Sequence, residues 1–178
     1  MILETKRLIL RPWQSDDEEL LYEYASNSKV ADMAGWAVHA SREHSQEILL
    51  KLLMVDEIYA VVVKDTGRLA GSIGFQLGGN STLGLGQDEA EIGYWIAYSL
   101  WGRGYAAEAV ARLLSHGFHV LGLNKIWARY FEGNDQSKRV LEKSGFHYLK
   151  TEKNLYIPAA DKYYTTHLVS RGAKEQED

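Results

Sequence analysis

The amino-acid sequence predicts an α/β (α+β) fold built on a mixed β-sheet, with parallel and antiparallel strands and helices on both faces. Three observations predict it. Two short β-branched runs, Ile58–Lys64 and Arg68–Gln76, flank Asp65-Thr66-Gly67, a hairpin signature. One strand–helix–strand unit follows between Ala90 and Phe131, turning through Gly102-Arg103-Gly104. Two further strand-like runs, Phe146–Leu155 and Tyr163–Arg171, close the chain. Hairpins combined with a single crossover give a mixed sheet, not a wholly parallel one.

Taken in order, Arg7–Trp13 reads as a first strand, ended by Pro12 and the polar cluster after it. Ser15 is placed to cap a helix, with Glu18 as the second half of a capping box and Leu20, Leu21 and Tyr24 as the apolar face. Lys29–Ala40 carries no regular period, and its Trp36 stands beside Gly35. Ser41 is a second cap, ahead of Ile48, Leu49, Leu52 and Leu53 at helical spacing. Leu77–Asp88 is rich in glycine and small polar residues and reads as a mobile surface loop. Ala90–Tyr98 is a strand, and a helix begins at about Tyr105. Ala106, Val110, Leu113, Gly117 and Val120 share one side of that helix, and Gly122 is placed to stop it. Lys125–Phe131 is again a strand. A short helix follows Gly133-Asn134-Asp135, runs to Lys143 and ends at Gly145. Residues 1–171 are expected to form one domain, and the polar tail 172–178 is expected to fray.

Composition bounds the function. A chain of 178 residues can bury a sizeable core as one domain. The net charge of −4 argues against nucleic acid as a partner, while leaving room for a local basic pocket. The absence of cysteine excludes disulfides, thiolate zinc sites and a cysteine nucleophile, in keeping with a cytoplasmic protein, and no metal site is expected. The opening Met1-Ile2-Leu3-Glu4-Thr5-Lys6-Arg7 lacks the pattern of a signal peptide. No apolar run approaches the ~20 residues that span a bilayer, so no membrane partner is expected.

The strongest functional signal is the glycine turn. Gly102 and Gly104 remove Cβ atoms where the backbone turns sharply, and the helix after them opens with unpaired N–H groups and a partial positive charge. That combination is an anion site, most naturally for phosphate. Gly102-Arg103-Gly104-Tyr105-Ala106-Ala107 also satisfies the dinucleotide fingerprint G-x-G-x-x-G/A. Glu132 is the acid that would meet a ribose, but it lies beyond the expected spacing of about 20 residues. The turn also comes past mid-chain, with too little sequence after it for a second mononucleotide half. A Walker-type loop is excluded, because no Gly-Lys-Ser/Thr follows.

Trp101-Gly102-Arg103-Gly104-Tyr105-Ala106 resembles the coenzyme A pyrophosphate loop of the GCN5-related N-acetyltransferases (GNAT). Asn134-Asp135-Gln136-Ser137 through Glu142-Lys143-Ser144-Gly145-Phe146 is similar to the family's second segment. Glu4–Arg11 and Glu91-Ile92-Gly93-Tyr94-Trp95 resemble its RimJ/RimL branch, which acetylates protein N-termini and small amines. The resemblance extends from about Leu3 to Leu168 and implies a six- or seven-stranded sheet splayed at the cofactor site. It further implies that acetyl-CoA is the cosubstrate. Its pantetheine arm would pair with backbone around Trp95 and Ile96, and its pyrophosphate would meet the N–H groups of Gly102, Arg103, Gly104, Tyr105, Ala106 and Ala107. Asn134 would meet the pantetheine, and Trp36 and Tyr163 or Tyr164 would lie by the acceptor amine. A homodimer is left open. Trp101 departs from the family's usual Gln or Arg, Leu141 stands where some branches carry a tyrosine, and Arg129 where another carries a glutamate.

Acetyl transfer needs a neutral amine, and an alkyl amine with a pKa near the lysine value of about 10.4 is mostly protonated at neutral pH. A base is therefore expected, and Glu91 on the strand nearest the cofactor is the candidate. Glu89, two residues away on the same strand face, is its rival, and His39, His44 and His116 are titratable alternatives. Ser137, three residues after Asn134, is the hydroxyl available to orient the sulfur or relay a proton. Two other readings stay open from sequence: a non-catalytic acyl-CoA sensor and a dinucleotide-binding oxidoreductase domain.

Overall fold

The computed structural model describes residues 1–176. Among them, eight strands form one sheet: β1 (Leu3–Glu4), β2 (Leu8–Pro12), β3 (Ile58–Val63), β4 (Leu69–Leu77), β5 (Glu89–Ile96), β6 (Lys125–Phe131), β7 (His147–Ile157) and β8 (Lys162–Gly172). Their spatial order is β1-β2-β3-β4-β5-β6-β8-β7. The count exceeds the expected six or seven by the two-residue β1, which is too short to leave an alternating pattern in sequence.

The helices are α1 (Glu18–Ala25), α2 (Ser28–Ala34), α3 (Arg42–Ile48), α4 (Tyr105–His119) and α5 (Asp135–Lys143). Two apolar clusters show how they are distributed. One cluster joins α4 and α5 to a sheet face through Val110, Leu113, Leu114 and Leu141 against Leu8, Leu10, Ile73, Ile92 and Ile126. The other joins α1 and the end of α3 to the opposite face through Leu21, Tyr24 and Leu49 against Trp13, Ala60, Val62 and Leu69. Each fully buried Leu or Val contributes about 1.5–3 kcal/mol relative to exposure, so these clusters fix which face each helix covers.

Several local expectations need correction. The expected Ser15/Glu18 box is displaced: Ser15–Asp17 form a 3-10 turn capped by Gln14, whose N–H donates to Asp17 at 2.9 Å. Arg11 grips both Asp17 oxygens at 2.7 Å, and this ion pair decides which residue faces the cap. Lys29–Ala40 is not irregular throughout, because Asn27 accepts from the Lys29 N–H at 3.0 Å and starts α2. Ser41 does cap α3, accepting from His44. The helix then widens into a π turn over Leu49–Leu53, which buries Leu49 and leaves Leu52 exposed. The loop before β5 is tied down: Ser81 donates to Glu91, Arg129 to Thr82, and Asn124 to Asp88. Val120 is solvent-exposed and caps α4 instead of joining its buried side. In the tail, Ala173–Gln176 form a 3-10 turn whose Ala173 N–H donates to Asn124 O at 2.9 Å. Residues 177–178 lie outside the described residues.

One irregularity organises the sheet. β5 stays antiparallel to β4 from Leu77↔Ala90 to Gly71↔Ile96. Its parallel ladder with β6 covers only Glu89–Glu91 against Lys125–Trp127. β6 meanwhile remains paired to β8 as far as Phe131↔Thr166. Held by different neighbours, β5 and β6 part beyond Glu91 and Trp127. The resulting wedge opens toward the C-terminal ends of both strands, which lead into α4 and α5.

Candidate active site

The glycine loop forms one wall of the wedge. Gly102 and Gly104 have φ of 76° and 79°, the left-handed region in which a Cβ is strained. Gly104 is the N-cap of α4 and supplies no side-chain bond, so the first-turn N–H groups keep their capacity for an anion. The loop is braced from behind by the N-terminal segment. Arg7 donates through Nη1 to Arg103 O at 2.9 Å, and its guanidinium lies 4.8 Å from the Tyr105 ring centre. Glu108 on α4 accepts from Thr5 Oγ1 at 2.6 Å, Arg7 N at 2.8 Å and Arg7 Nε at 2.6 Å. Burial opposes the charge of Glu108, but those donors outweigh it and hold the carboxyl below its ordinary value. Below the loop, a groove of about 340 Å3 between α4 and α5 is lined by Ala107, Ala111, Leu114, Lys143, Ser144, Gly145 and Arg171.

On the α4–α5 side of the wedge, Tyr94 reaches from β5 to α5. Its Oη lies 2.8 Å from Ser137 Oγ and 3.3 Å from Ser137 O. Asn134 caps α5, its Oδ1 accepting from Ser137 N at 3.1 Å while its Nδ2 donates to Met33 O at 3.2 Å. The first turn of α5 is thereby fixed to both β5 and α2. Leu141 is fully buried in the core, consistent with the lack of an acid at that position.

The opposite side is aromatic. Trp95 meets Trp36 edge-on with ring centres 5.6 Å apart and lies 6.4 Å from Trp13. Phe131 stacks on Tyr164 at 4.2 Å. Gly93, between Glu91 and Trp95 on the same strand face, is exposed, and a Cβ there would meet nothing within 4 Å. At the apex, Arg129 donates to Glu91 through Nε at 2.8 Å and Nη2 at 3.2 Å, while Ser81 donates to Glu91 Oε2 at 2.6 Å. Glu91 is thus a partnered carboxylate one side-chain position from open space.

This arrangement of loop, splayed strands and second helix agrees with an independent comparison. The model of the acetyltransferase (GNAT) domain matches residues 7–147 of the chain. The chain belongs to the GNAT family. An uncharacterized N-acetyltransferase of Bacillus subtilis (strain 168), YoaA, is 34% identical over 150 residues, covering 82% of each chain. The crystal structure of a GNAT-family acetyltransferase from Bacillus anthracis superposes with a TM-score of 0.85 at 25% identity, covering 98% of this chain and 99% of that one. RimL, a ribosomal L7/L12 alpha-N-protein acetyltransferase in complex with coenzyme A, has a TM-score of 0.77 over 97% and 98% of the two chains. At 16% identity that likeness concerns the fold alone.

Within this GNAT frame, the structure brings Gly102–Ala107, Trp95, Ile96, Asn134, Ser137 and Trp36 around the wedge. Ile96 needs a qualification, since its carbonyl already accepts from Trp101 Nε1 at 2.7 Å. One lone pair of that carbonyl is thereby taken, and the indole of Trp101 serves the strand. Tyr163 is not brought to the site. It is 71% exposed beside Tyr156 on the opposite strand face, and the period-two alternation of β8 instead delivers Tyr164. Glu89 caps its own turn by accepting from Gly86 N, and His116 is buried against Glu57. Three residues escaped the sequence reading as site residues: Tyr94, Phe131 and the Arg129 partner of Glu91. Tyr94 had one available signal, its shared strand parity with Ile92 and Ile96 toward α5.

Proposed function

We propose that this GNAT protein transfers the acetyl group of acetyl-CoA to a primary amine, on a protein N-terminus or a small molecule, by direct attack in a ternary complex. The observation that carries this reading is the two-sided wedge. It has a phosphate-competent glycine loop and two helix starts on one side, and an open aromatic surface around Gly93 on the other. The backbone N–H groups of Gly102–Ala107 hold the pyrophosphate. The groove bearing Lys143 and Arg171 takes the phosphorylated adenosine end. The pantetheine fills the gap between β5 and β6, where strand N–H groups polarise the thioester carbonyl. The acceptor approaches past Trp36 and Trp95, whose ring faces suit an ammonium group. The amine nitrogen attacks the carbonyl carbon, the carbon–sulfur bond breaks with its electron pair on sulfur, and the amine proton leaves toward Glu91, directly or through water. We place this enzyme, one domain over 1–171, in the cytoplasm on the absence of cysteine from the sequence.

Thermal stability in the presence of acetyl-CoA, CoA or NAD tests the ligand, because a ligand that binds only the folded state raises the melting temperature. Both CoA species should stabilise the wild type and NAD should not. Gly104→Val, which forces a β-branched residue to φ near 79°, should raise the CoA dissociation constant at least about tenfold while the protein stays folded. Equal CoA affinity in that variant would remove the loop from the site. Binding without release of free thiol from any amine screened would favour the acyl-CoA sensor.

Glu91→Gln tests the base. Turnover should fall by about 10²-fold, the usual size of a general-base contribution, with CoA affinity preserved. Unchanged turnover across pH would exclude Glu91 as the base and leave its carboxylate with the Arg129 clamp alone.

A further inference from the structure

We propose that Tyr94 is a positioning residue for the departing thiolate, aiming the Ser137 hydroxyl at the sulfur of CoA. This inference rests on the acetyl-CoA reading above. The Tyr94–Ser137 bridge spans the wedge from β5 to the first turn of α5, two residues along β5 from Ile96, whose backbone the acetyl-CoA reading assigns to the pantetheine. Its two hydroxyls can share their protons in two ways. In one, Ser137 Oγ donates to Tyr94 Oη, and Tyr94 donates to Ser137 O at 3.3 Å. In the other, Tyr94 donates to Ser137 Oγ at 2.8 Å, and the Ser137 proton is free to point into the wedge. An anionic sulfur selects the second arrangement, because a donor aimed at a thiolate is stronger than one aimed at a phenol.

Tyr94 is suited to that task because it stays protonated. Burial pushes its phenol up to about 12, while the bond to Ser137 pulls the other way. A phenol that holds its proton this firmly does not transfer it to a thiolate, whose conjugate thiol titrates at about 8.5. Tyr94 therefore remains a neutral donor throughout the reaction. The electron pair of the broken carbon–sulfur bond is stabilised on sulfur by the Ser137 hydrogen bond, and the proton that Glu91 took from the amine reaches the sulfur through water. Asn134 fixes the backbone beneath Ser137 by accepting from its N–H at 3.1 Å, and Tyr94 holds its hydroxyl from the β5 side.

The thiol of bound CoA reports this without any acceptor amine. Its ionisation is followed by thiolate absorbance against pH in the CoA complex, with the CoA-free protein subtracted. In the wild type the bound thiol should titrate below free CoA. In Tyr94→Phe and Ser137→Ala its pKa should rise by about one unit, the tenfold change expected from one lost hydrogen bond, and the double variant should add little. A bridge that only fastened β5 to α5 would lower stability or CoA affinity and leave the thiol pKa where it was, which would overturn the proposal. Equal thiol pKa values in the wild type and Ser137→Ala would do so as well. Failure of the wild type to bind CoA at all would instead remove the acetyl-CoA reading beneath it.

Discussion

Gly71→Ala should lower stability by about 3 kcal/mol, at the upper end of the cost of overpacking a well-packed interior. Gly71 sits opposite Ile96, where β4 passes beneath the splayed end of β5. A Cβ there would overlap the Trp95 carbonyl oxygen and stand 2.9 Å from Ile96 Cα. Both obstacles are backbone, so no rotamer change relieves them. Either the two strands separate or β5 shifts into the wedge. For a chain of this size about 3 kcal/mol corresponds to a fall of roughly 6–12 °C in Tm, and a melting curve reads it directly. The same shift moves the Trp95 and Ile96 backbone, so CoA affinity should fall along with Tm. Gly93→Ala, with nothing within 4 Å of its added carbon, should melt like the wild type and serves as the control. A Gly71→Ala protein with wild-type Tm and CoA affinity would mean that β4 and β5 do not approach this closely.

The parts of the fold legible in sequence are those enforced by local chemistry. Gly102 and Gly104 mark backbone that only glycine adopts comfortably, and they announce the loop wherever the chain around them goes. Lys125–Phe131 matches the observed β6 because the run is bounded on both sides by turn residues. Two local expectations gave way, one to a nearby side-chain ion pair and one to the shortness of a helix. Arg11 recruits Asp17 and moves the cap away from Ser15. α2 spans only seven residues between Asn27 and Gly35, too few for a helical period to show.

The site divides in the same way. The glycine loop is one contiguous stretch, and its two positive-φ glycines are legible locally. The wedge chemistry is made of pairs whose members lie 38 residues apart for Glu91–Arg129 and 43 for Tyr94–Ser137. No spacing rule within a strand or helix links such partners; only the crossover from β5 through α4 to β6 brings them together. Arg129, which stands where one branch of the family carries a glutamate, instead supplies the partner of a carboxylate on the neighbouring strand.

Acid should weaken the acceptor side first, through His39. This side chain is 5% exposed, its Nδ1 lies 2.8 Å from Ser45 Oγ, and its ring faces Trp36 at 6.4 Å and His44 at 4.8 Å. Burial, and secondarily the neighbouring His44, lower its pKa to about 4 from 6.5. The folded protein thus refuses a proton that the unfolded chain accepts. The stabilisation is complete above pH 6.5 and is lost progressively as pH falls from 6.5 toward 4. The loss grows through this interval and levels off below about pH 4. Carboxylates contribute to acid unfolding mainly below about pH 5, so the window from 6.5 to 5 separates histidines from carboxylates, and the variant separates His39 from the other five. His39→Asn keeps a polar atom near the Nδ1 position for Ser45 but does not titrate, and its Tm should decline less steeply across that window than the wild type's. Since His39 anchors the segment between α2 and α3 that carries Trp36, wild-type acetyl transfer should fall over the same range, with CoA affinity retained. Equal slopes of Tm against pH in the two proteins would assign the acid sensitivity to another group and leave the Trp36 wall indifferent to His39.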